Sequence, residues 1–162
     1  MSSNFRAERS VEPSVDGTGV RVGLVCGRFN DHITTRLLAG AENALAVHGV
    51  KESDVVLTWV PGAYEAPMAA KGMIDAGLVD VVVCLGAVIR GETSHYDFVA
   101  GECARGIMDV QLATGVPVIF GVLTTENLEQ ALARSSDEDN KGEECVRTGL
   151  EMVNLLRSLD AD

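Results

Sequence analysis

Short apolar runs rich in β-branched residues alternate along this chain with longer segments in which apolar residues recur every three or four positions. The apolar runs cover residues 20–26, 55–60, 79–85 and 116–120. Each run is almost continuously apolar, which is typical of strands covered on both faces. Strands separated by helices pair in parallel. The pattern therefore predicts an α/β fold, a three-layer α/β/α sandwich around a four-stranded parallel sheet.

The segments between and after the runs predict five helices. The first fills the segment before Gly49, and the others cover residues 64–76, 94–114, 125–134 and 141–159. Gly49, Gly77 and Gly115 are expected to end the helices that precede them, because glycine readily adopts the left-handed conformation found after a helix C-terminus. We expect residues 20–160 to form a single domain.

Both ends of the chain carry features of subunit contacts. Residues 1–19 are polar and predict a flexible N-terminal arm, which could add a strand to the sheet of a neighbouring subunit. The last helix presents an apolar stripe wider than packing on one sheet requires, formed by Val146, Leu150, Val153 and Leu155 beside its main apolar face. Subunit contacts and deep burial within one chain both account for that stripe.

Composition excludes several classes of protein. The 162 residues are 46% hydrophobic, which suits one well-buried core. The sequence has no apolar stretch long enough to span a membrane and no signal peptide, so we expect a cytoplasmic protein without membrane association. The four cysteines lie in apolar patterns without CxxC spacing and are expected to be reduced. A net charge of −11 argues against nucleic-acid binding.

Common cofactor and metal motifs are absent from the sequence. It contains no GxGxxG, GxxxxGK[ST], GxSxG or HExxH, and no cysteine pair at metal-binding spacing. We therefore expect neither a metal nor a cofactor. A small anionic substrate remains compatible with the acidic chain, since one arginine and a few backbone N–H groups suffice to bind a phosphate.

Ligands of open parallel sheets bind beyond the carboxyl ends of the strands, so the segments that follow the strands are the candidates for chemistry. After the first run, Phe29 either covers the core or stacks on a planar ligand, and Asn30 or Asp31 caps the helix. After the second, Glu65 either interacts with a helix dipole or accepts hydrogen bonds from a ligand.

The segment after the third run, residues 86–96, combines two glycines, a helix start near Ser94 and a histidine. Free N–H groups at a helix start bind anions. His95, in the first helical turn, is positioned to exchange a proton with whatever that site holds. The sequence therefore predicts an enzyme that binds a small phosphorylated substrate here.

The segment after the fourth run supplies a second candidate for phosphate binding. Phe120 is expected to end the last strand, and Thr125 to cap a short helix that closes at Arg134. Arg134 either interacts with the dipole of that helix or binds phosphate together with a second element.

Five motifs in register carry a resemblance to a known family. They are the Phe29-Asn30 turn, PGAYEAP, GAVIRGETSHYDFV, GVLTTENLEQALAR and NKG. In this order and spacing they resemble the lumazine synthases over about residues 20–158. The resemblance implies a flavodoxin-like sheet and the penultimate step of riboflavin biosynthesis. In that step 5-amino-6-(D-ribitylamino)uracil and 3,4-dihydroxy-2-butanone 4-phosphate form 6,7-dimethyl-8-ribityllumazine, phosphate and water, without cofactor or metal.

The resemblance also implies roles for individual residues. The residues that it assigns to the pyrimidine and its ribityl chain are Phe29, Ala63, Tyr64, Glu65, Ala87, Val88, Ile89 and Phe120. Among these, Phe29 stacks on the ring and Phe120 comes from an adjacent subunit. Glu92, Thr93 and Arg134 hold the phosphate, and His95 moves protons. Lys141, in NKG, is placed to reach the ligand.

Assembly follows from the same resemblance, with one departure from the family pattern. A homopentamer with sites at subunit interfaces is implied, an icosahedral shell of about 60 subunits is compatible with it, and riboflavin synthase is a candidate partner. The link 135–139 is short and acidic and lacks an expected basic residue. This departure keeps two alternatives open: a non-catalytic flavin- or lumazine-binding protein, and a structural shell protein.

Overall fold

Strands and helices alternate along the chain as the pattern predicts. The computed structural model describes residues 6–161. The elements in chain order are β1 Val22–Gly27, α1 Asp31–Val47, β2 Val55–Val60, α2 Ala66–Asp75, β3 Val81–Ile89, α3 His95–Thr114, β4 Val118–Thr125, α4 Leu128–Ala133 and α5 Lys141–Asp160. Short 3₁₀ turns at Glu52–Asp54 and Ala63–Glu65 precede β2 and α2.

The four strands form one parallel sheet in the order β2-β1-β3-β4. The chain moves from β1 to one side of the sheet to form β2, and then crosses back to form β3 on the other side of β1. The strand order therefore reverses between β1 and β3, and a crevice opens there at the carboxyl ends of the strands. The predicted flavodoxin-like parallel sheet is confirmed.

Helices cover both faces of the sheet, which confirms the three-layer architecture. Alternate residues of β3 face opposite layers: Val81, Val83 and Leu85 pack with α1, α4 and α5, whereas Val82 and Cys84 pack with α2 and α3. Both sets are almost completely buried. Burial on both faces explains why the strand sequences are continuously apolar.

The wide apolar stripe of α5 is used largely within the chain. Val146, Leu150 and Val153 are at most 3% exposed and belong to the core on the α1 side of the sheet. Leu155 is half-buried. Gly149 allows the close approach, because a Cβ there would lie 3.0 Å from Val81 Cγ2. For these three residues, deep burial within one chain is the correct interpretation.

The helix stops were predicted correctly, and the ends of β3 and β4 were not. Gly49, Gly77 and Gly115 have φ between 68° and 85°, the left-handed conformation expected after a helix. The predicted ends of β3 and β4 were too early, since residues 86–89 pair with residues 122–125 in a continued parallel ladder. Phe120 therefore lies inside β4 rather than at its end. Glycine and threonine in the added residues concealed the strand pattern, because both are common in loops.

Asparagine side chains cap α4 and α5, and Thr125, which we predicted to cap α4, does not. Thr125 is the last residue of β4, and the Asn127 side chain caps α4 by accepting the Gln130 N–H at 2.9 Å. Asn140 caps α5 by accepting the N–H groups of Gly142 and Glu143 at 2.9 and 3.2 Å. The prediction that Asn30 or Asp31 caps α1 was also wrong, since no side chain caps this helix.

Part of the segment predicted to be an arm contacts the domain. The Asn154 amide donates to the carbonyl oxygens of Ser14 and Asp16, at 3.0 Å in each case. The Gly17 N–H donates to the carbonyl of His48 at 2.8 Å. Residues 1–5 of the predicted arm lie outside the described residues. Within residues 6–161, no helix has both the length and the apolar character needed to cross a membrane.

Candidate active site

A cavity of about 700 Å³ opens at the crevice between the carboxyl ends of the strands. Its walls come from the segments that follow β1 and β2, from the end of β3, and from the first turn of α3. These are three of the four segments that the sequence singled out. The position agrees with the rule that ligands of open parallel sheets bind where the strand order reverses.

The β1 segment places an aromatic ring at the rim of the cavity. Phe29 lines the cavity and is 74% exposed, so it does not cover the core. Backbone hydrogen bonds from Arg28 to Val60 and from Phe29 to Pro61, of 2.9 and 3.1 Å, hold the segment against the end of β2. A ring anchored in this way and open to solvent is available to stack on a planar ligand.

Asn30 fastens the same segment to β3. Its backbone is left-handed, with φ 61° and ψ 42°, and its Nδ2 donates to the carbonyl of Ala87 at 3.0 Å. Asparagine tolerates this conformation better than most residues. The side chain that we expected to cap α1 therefore bridges the two strands between which the cavity lies.

The β2 segment places a carboxylate close to the aromatic ring. Glu65 ends the short turn Ala63–Glu65, in which its N–H donates to the Gly62 carbonyl at 3.2 Å. A Cβ built on Gly62 would lie 3.6 Å from the Glu65 carboxylate and 3.7 Å from the Cβ of Phe29. The Glu65 carboxylate and the Cβ of Phe29 therefore both lie next to Gly62. Ala63 is buried and Tyr64 is exposed, and both line the cavity.

The last residues of β3 form the floor of the cavity. Ala87, Val88 and Ile89 all line it, as the sequence analysis proposed. They belong to the strand, where they pair with residues 123–125 of β4, and not to a loop as we expected. A paired strand holds its backbone groups more firmly than a loop does, which suits recognition of a planar ring through main-chain atoms.

The loop that follows β3 carries the predicted phosphate and proton-transfer residues. Residues 90–94 lie outside regular structure, and α3 begins at His95. Thr93 and His95 line the cavity, whereas Glu92 is exposed beside it. The Thr93 hydroxyl accepts the His95 N–H at 3.3 Å. The Asp97 N–H donates to the Ser94 carbonyl at 3.0 Å, so two N–H groups of this turn already have partners. The Thr93 hydroxyl can still donate its own proton to an anion, which the positive end of the α3 dipole also favours.

The other predicted site residues lie elsewhere on the chain. Phe120 is on the edge strand β4 and is 39% exposed. Arg134 follows α4 and donates to the Gln130 carbonyl at 3.0 Å, and the Lys141 N–H donates to the Arg134 carbonyl at 2.9 Å. None of these three residues lines the cavity. One chain therefore carries two separate groups of predicted site residues.

The acidic link brings the two basic residues together. A β-bridge pairs Ser135 with Asn140, so that Arg134 and Lys141 leave the link side by side. The Lys141 ammonium contacts Glu144 at 2.8 Å and Asp139 at 3.6 Å. The hydrogen bond to Glu144 is the main cause of the raised pKa of Lys141. The short link thus keeps both basic residues close together despite its acidic sequence.

Sequence reasoning missed part of the cavity wall. Tyr96, Phe98 and Val99 line the cavity beside His95, but we assigned them no role. Phe98 is 67% exposed although it is a large apolar residue, and Val99 is half-buried. The available signal was that all three fall in the first turns of the helix that begins at His95, the residue we had already selected.

The charge around the cavity is mainly negative. Among residues 6–161, no arginine or lysine lines the cavity, whereas Glu65 does. Arg90, at the start of the loop that follows β3, is paired with Glu126 at 2.9 Å and with Asp97 at 3.3 Å. The part of the chain that the structure describes has no group of three His, Cys, Asp or Glu able to hold a metal ion. An anion bound in this cavity would therefore meet hydrogen-bond donors but no lysine or arginine of residues 6–161.

A known protein family matches most of the chain. A sequence model of the family described as 6,7-dimethyl-8-ribityllumazine synthase matches residues 19–157 of the 162-residue chain. The matched range contains every strand, helices α1 to α4 and most of α5. It also contains both groups of predicted site residues.

Proposed function

The chain belongs to the 6,7-dimethyl-8-ribityllumazine synthase family, an enzyme family, and we propose that it catalyses the reaction for which that family is named. In the proposed reaction 5-amino-6-(D-ribitylamino)uracil and 3,4-dihydroxy-2-butanone 4-phosphate give 6,7-dimethyl-8-ribityllumazine, one phosphate and two waters. The product is the precursor used in the last step of riboflavin biosynthesis. The observation that carries the proposal is one cavity that joins Phe29, Glu65, Thr93 and His95 from three separate segments.

The pyrimidine side of the cavity suits a flat, polar ring with a hydroxylated chain. Phe29 offers an exposed aromatic face, and Ala87, Val88 and Ile89 offer a rigid strand backbone. Glu65 lies beside Phe29 and can accept hydrogen bonds from ribityl hydroxyls, because a carboxylate is an acceptor with several lone pairs. Stacking and edge recognition would together fix the orientation of the ring.

The phosphate side supports a site shared between two copies of the chain. Thr93 and the first turn of α3 offer hydrogen-bond donors but no lysine or arginine. Arg134 and Lys141 are held together away from this cavity, and Phe120 lies exposed on the edge strand β4. In a ring of identical subunits, one surface of each copy meets a different surface of the next. We propose a homopentamer in which Arg134, Lys141 and Phe120 complete the neighbouring cavity.

Catalysis in this arrangement would depend mainly on orientation. The nucleophile is the substrate's own amine, so the chain needs no lysine to form a Schiff base. Holding two reactants together can lower a barrier by up to roughly 7 to 11 kcal/mol. Imine formation, phosphate elimination and ring closure each require proton transfer, to which one well-placed histidine such as His95 contributes about a hundred- to ten-thousandfold. Donors at the start of α3 would stabilise the departing phosphate.

The decisive experiment mixes the purified protein with both substrates and follows lumazine absorbance and fluorescence. We expect a rate well above the spontaneous reaction, and a large loss of kcat in His95→Ala. His48→Ala is the matched control, since His48 lies at the end of α1, outside the cavity. A rate equal to the spontaneous background would overturn the proposal. Tight riboflavin binding without turnover would instead support a non-catalytic binding protein.

A complementation experiment tests the shared site. His95→Ala and Arg134→Ala should each lose most activity, the second mainly through a higher KM for the butanone phosphate. In mixed rings made from equal amounts of the two variants, about a quarter of the interfaces combine an intact His95 with an intact Arg134. Activity should then return to about a quarter of that of the wild type. No recovery in rings shown by native mass spectrometry to be mixed would contradict a shared site.

The size of the assembly is tested separately. Native mass spectrometry should give five subunits, or a multiple of five if pentamers associate into a shell. A catalytically inactive but fully assembled particle would support a structural shell protein. Riboflavin synthase remains the partner that we propose, because it would use the lumazine product. Co-purification of the two enzymes at physiological salt is the corresponding test.

A further inference from the structure

Arg90 has more partners than a surface arginine requires. Its Nε donates to Glu126 at 2.9 Å and its Nη1 to Asp97 at 3.3 Å. Its guanidinium carbon lies 4.2 Å from the centre of the Tyr96 ring. Its backbone N–H donates to the Thr125 carbonyl at 2.9 Å. The three side-chain contacts use Nε, Nη1 and the flat face of the guanidinium, and the fourth contact fixes the backbone.

The partners of Arg90 lie on both sides of residues 91–94, which we call the phosphate loop. Asp97 and Tyr96 belong to the first turn of α3, which also contains His95, and Tyr96 forms part of the cavity wall. Glu126 follows β4 and precedes α4. At one end of the phosphate loop, Arg90 is fixed to the end of β4. At the other end, the first turn of α3 is held by the side chain of Arg90. No other side chain among residues 6–161 contacts Glu126 and Asp97 together.

The same contacts argue against Arg90 as a direct phosphate ligand. Two carboxylates already neutralise its charge, and Glu92 adds a further negative charge nearby. A phosphate that approached the guanidinium would have to displace Glu126 or Asp97. A planar guanidinium suits simultaneous pairing and ring stacking, which an ammonium does not.

We propose that Arg90 is a positioning residue that fixes the phosphate loop and the first turn of α3 in their binding geometry. This inference rests on the proposed function only for the identity of the phosphate compound. The clamp, defined as Arg90 with Glu126, Asp97 and Tyr96, aligns the loop N–H groups and the His95 ring towards the cavity. Its effect on overall stability is small, because partly exposed ion pairs contribute little to folding.

Two variants on opposite sides of the clamp separate positioning from direct binding. Arg90→Gln removes the guanidinium, and Glu126→Gln removes the negative charge from the 2.9 Å ion pair. If Arg90 positions the loop, both variants weaken binding of the phosphate substrate. If Arg90 binds phosphate directly, Glu126→Gln releases the guanidinium and strengthens binding. Arg21→Gln is the control, since Arg21 pairs with Asp80 at the opposite end of the strands and its side chain is about as exposed as that of Arg90.

The first measurement is hydrogen–deuterium exchange of the full chain, which requires no activity. We expect amides 91–97 to exchange about tenfold faster in Arg90→Gln and Glu126→Gln, and at an unchanged rate in Arg21→Gln. Unchanged exchange in both clamp variants would overturn the proposal. If the wild type lacked synthase activity, the proposed function would be wrong. The exchange rates of amides 91–97 would still decide whether Arg90 positions the loop.

The second measurement is steady-state kinetics with both substrates. KM for the butanone phosphate should rise about tenfold in both clamp variants, with KM for the pyrimidine within about twofold of the wild type. A combined Arg90→Gln/Glu126→Gln variant should be no worse than Arg90→Gln alone, because that single variant already removes the contact with Glu126. A lower KM for the butanone phosphate in Glu126→Gln would overturn the proposal in favour of direct binding.

Discussion

Asn30 offers the sharpest test of how the cavity is held together. Its side chain joins the β1 segment to β3 through a 3.0 Å hydrogen bond to the Ala87 carbonyl, and its backbone is left-handed. Asn30→Ala removes the hydrogen bond and places alanine in a conformation that it adopts reluctantly. Asn30→Gly removes the same hydrogen bond but adopts the conformation freely. Comparing the two variants separates the contribution of the hydrogen bond from that of the backbone.

The magnitudes follow from the two contacts. A hydrogen bond of this kind contributes about 1 kcal/mol to stability. A left-handed conformation costs an ordinary L-residue about 1 kcal/mol or somewhat more. Asn30→Ala should therefore lower the free energy of unfolding by about 2 kcal/mol, and Asn30→Gly by about 1 kcal/mol. For a chain of this size each kcal/mol corresponds to roughly 2 to 4 °C in Tm.

The assay is urea unfolding followed by circular dichroism, at one fixed protein concentration because the stability of an oligomer depends on concentration. Equilibrium binding of the pyrimidine substrate is measured alongside. Both variants should bind it more weakly, since the hydrogen bond fixes Phe29 relative to Ala87. Equal destabilisation by alanine and glycine would refute the backbone argument. A fully stable Asn30→Gly would refute the assigned value of the hydrogen bond.

Three further predictions concern the rest of the fold. Burial raises the pKa of Cys145 from 9.0 to about 11, so at pH 8 its thiolate fraction and labelling by a disulfide reagent should be about a hundredfold below those of the unfolded chain. Labelling at the unfolded rate would contradict this. Gly121→Ala should cost roughly 1 to 3 kcal/mol, because its Cβ would meet the Cys84 carbonyl oxygen at 2.6 Å. Gly86→Ala, whose Cβ has no neighbour closer than 3.8 Å, is the control in urea unfolding. For Asp80, burial favours a raised pKa, but hydrogen bonds and charge from Arg21 outweigh it and leave the pKa below 3.8. The stabilisation is thus present above the unfolded pKa of 3.8 and lost as the pH falls through the folded pKa. In Asp80→Asn, the free energy of unfolding measured by urea unfolding should therefore fall less steeply as the pH is lowered in this range.

The sequence indicated the residues near the cavity more reliably than it indicated their local structure. Ala87, Val88 and Ile89 were selected as ring-binding residues in a loop, yet they are strand residues paired with β4. Local pattern could not show this, because pairing depends on a partner strand far away in the chain. Asn30 was taken for a helix cap because it precedes α1. Its actual partner, the Ala87 carbonyl, is 57 positions away and could not be found from the local sequence.

The sequence by itself determined the parallel sheet, its helical layers and the helix stops, because continuous apolar runs, helical periodicity and glycine conformation are local properties. It also indicated Phe29, Glu65 and His95, since residues that follow strands converge at the same edge of such a sheet, whereas the role of Thr93 came from the family resemblance. Only the tertiary structure placed Arg134, Lys141 and Phe120 away from the cavity and bound Arg90 to Glu126 and Asp97. Strand order and helix packing decide those distances, and neither is encoded in any single segment.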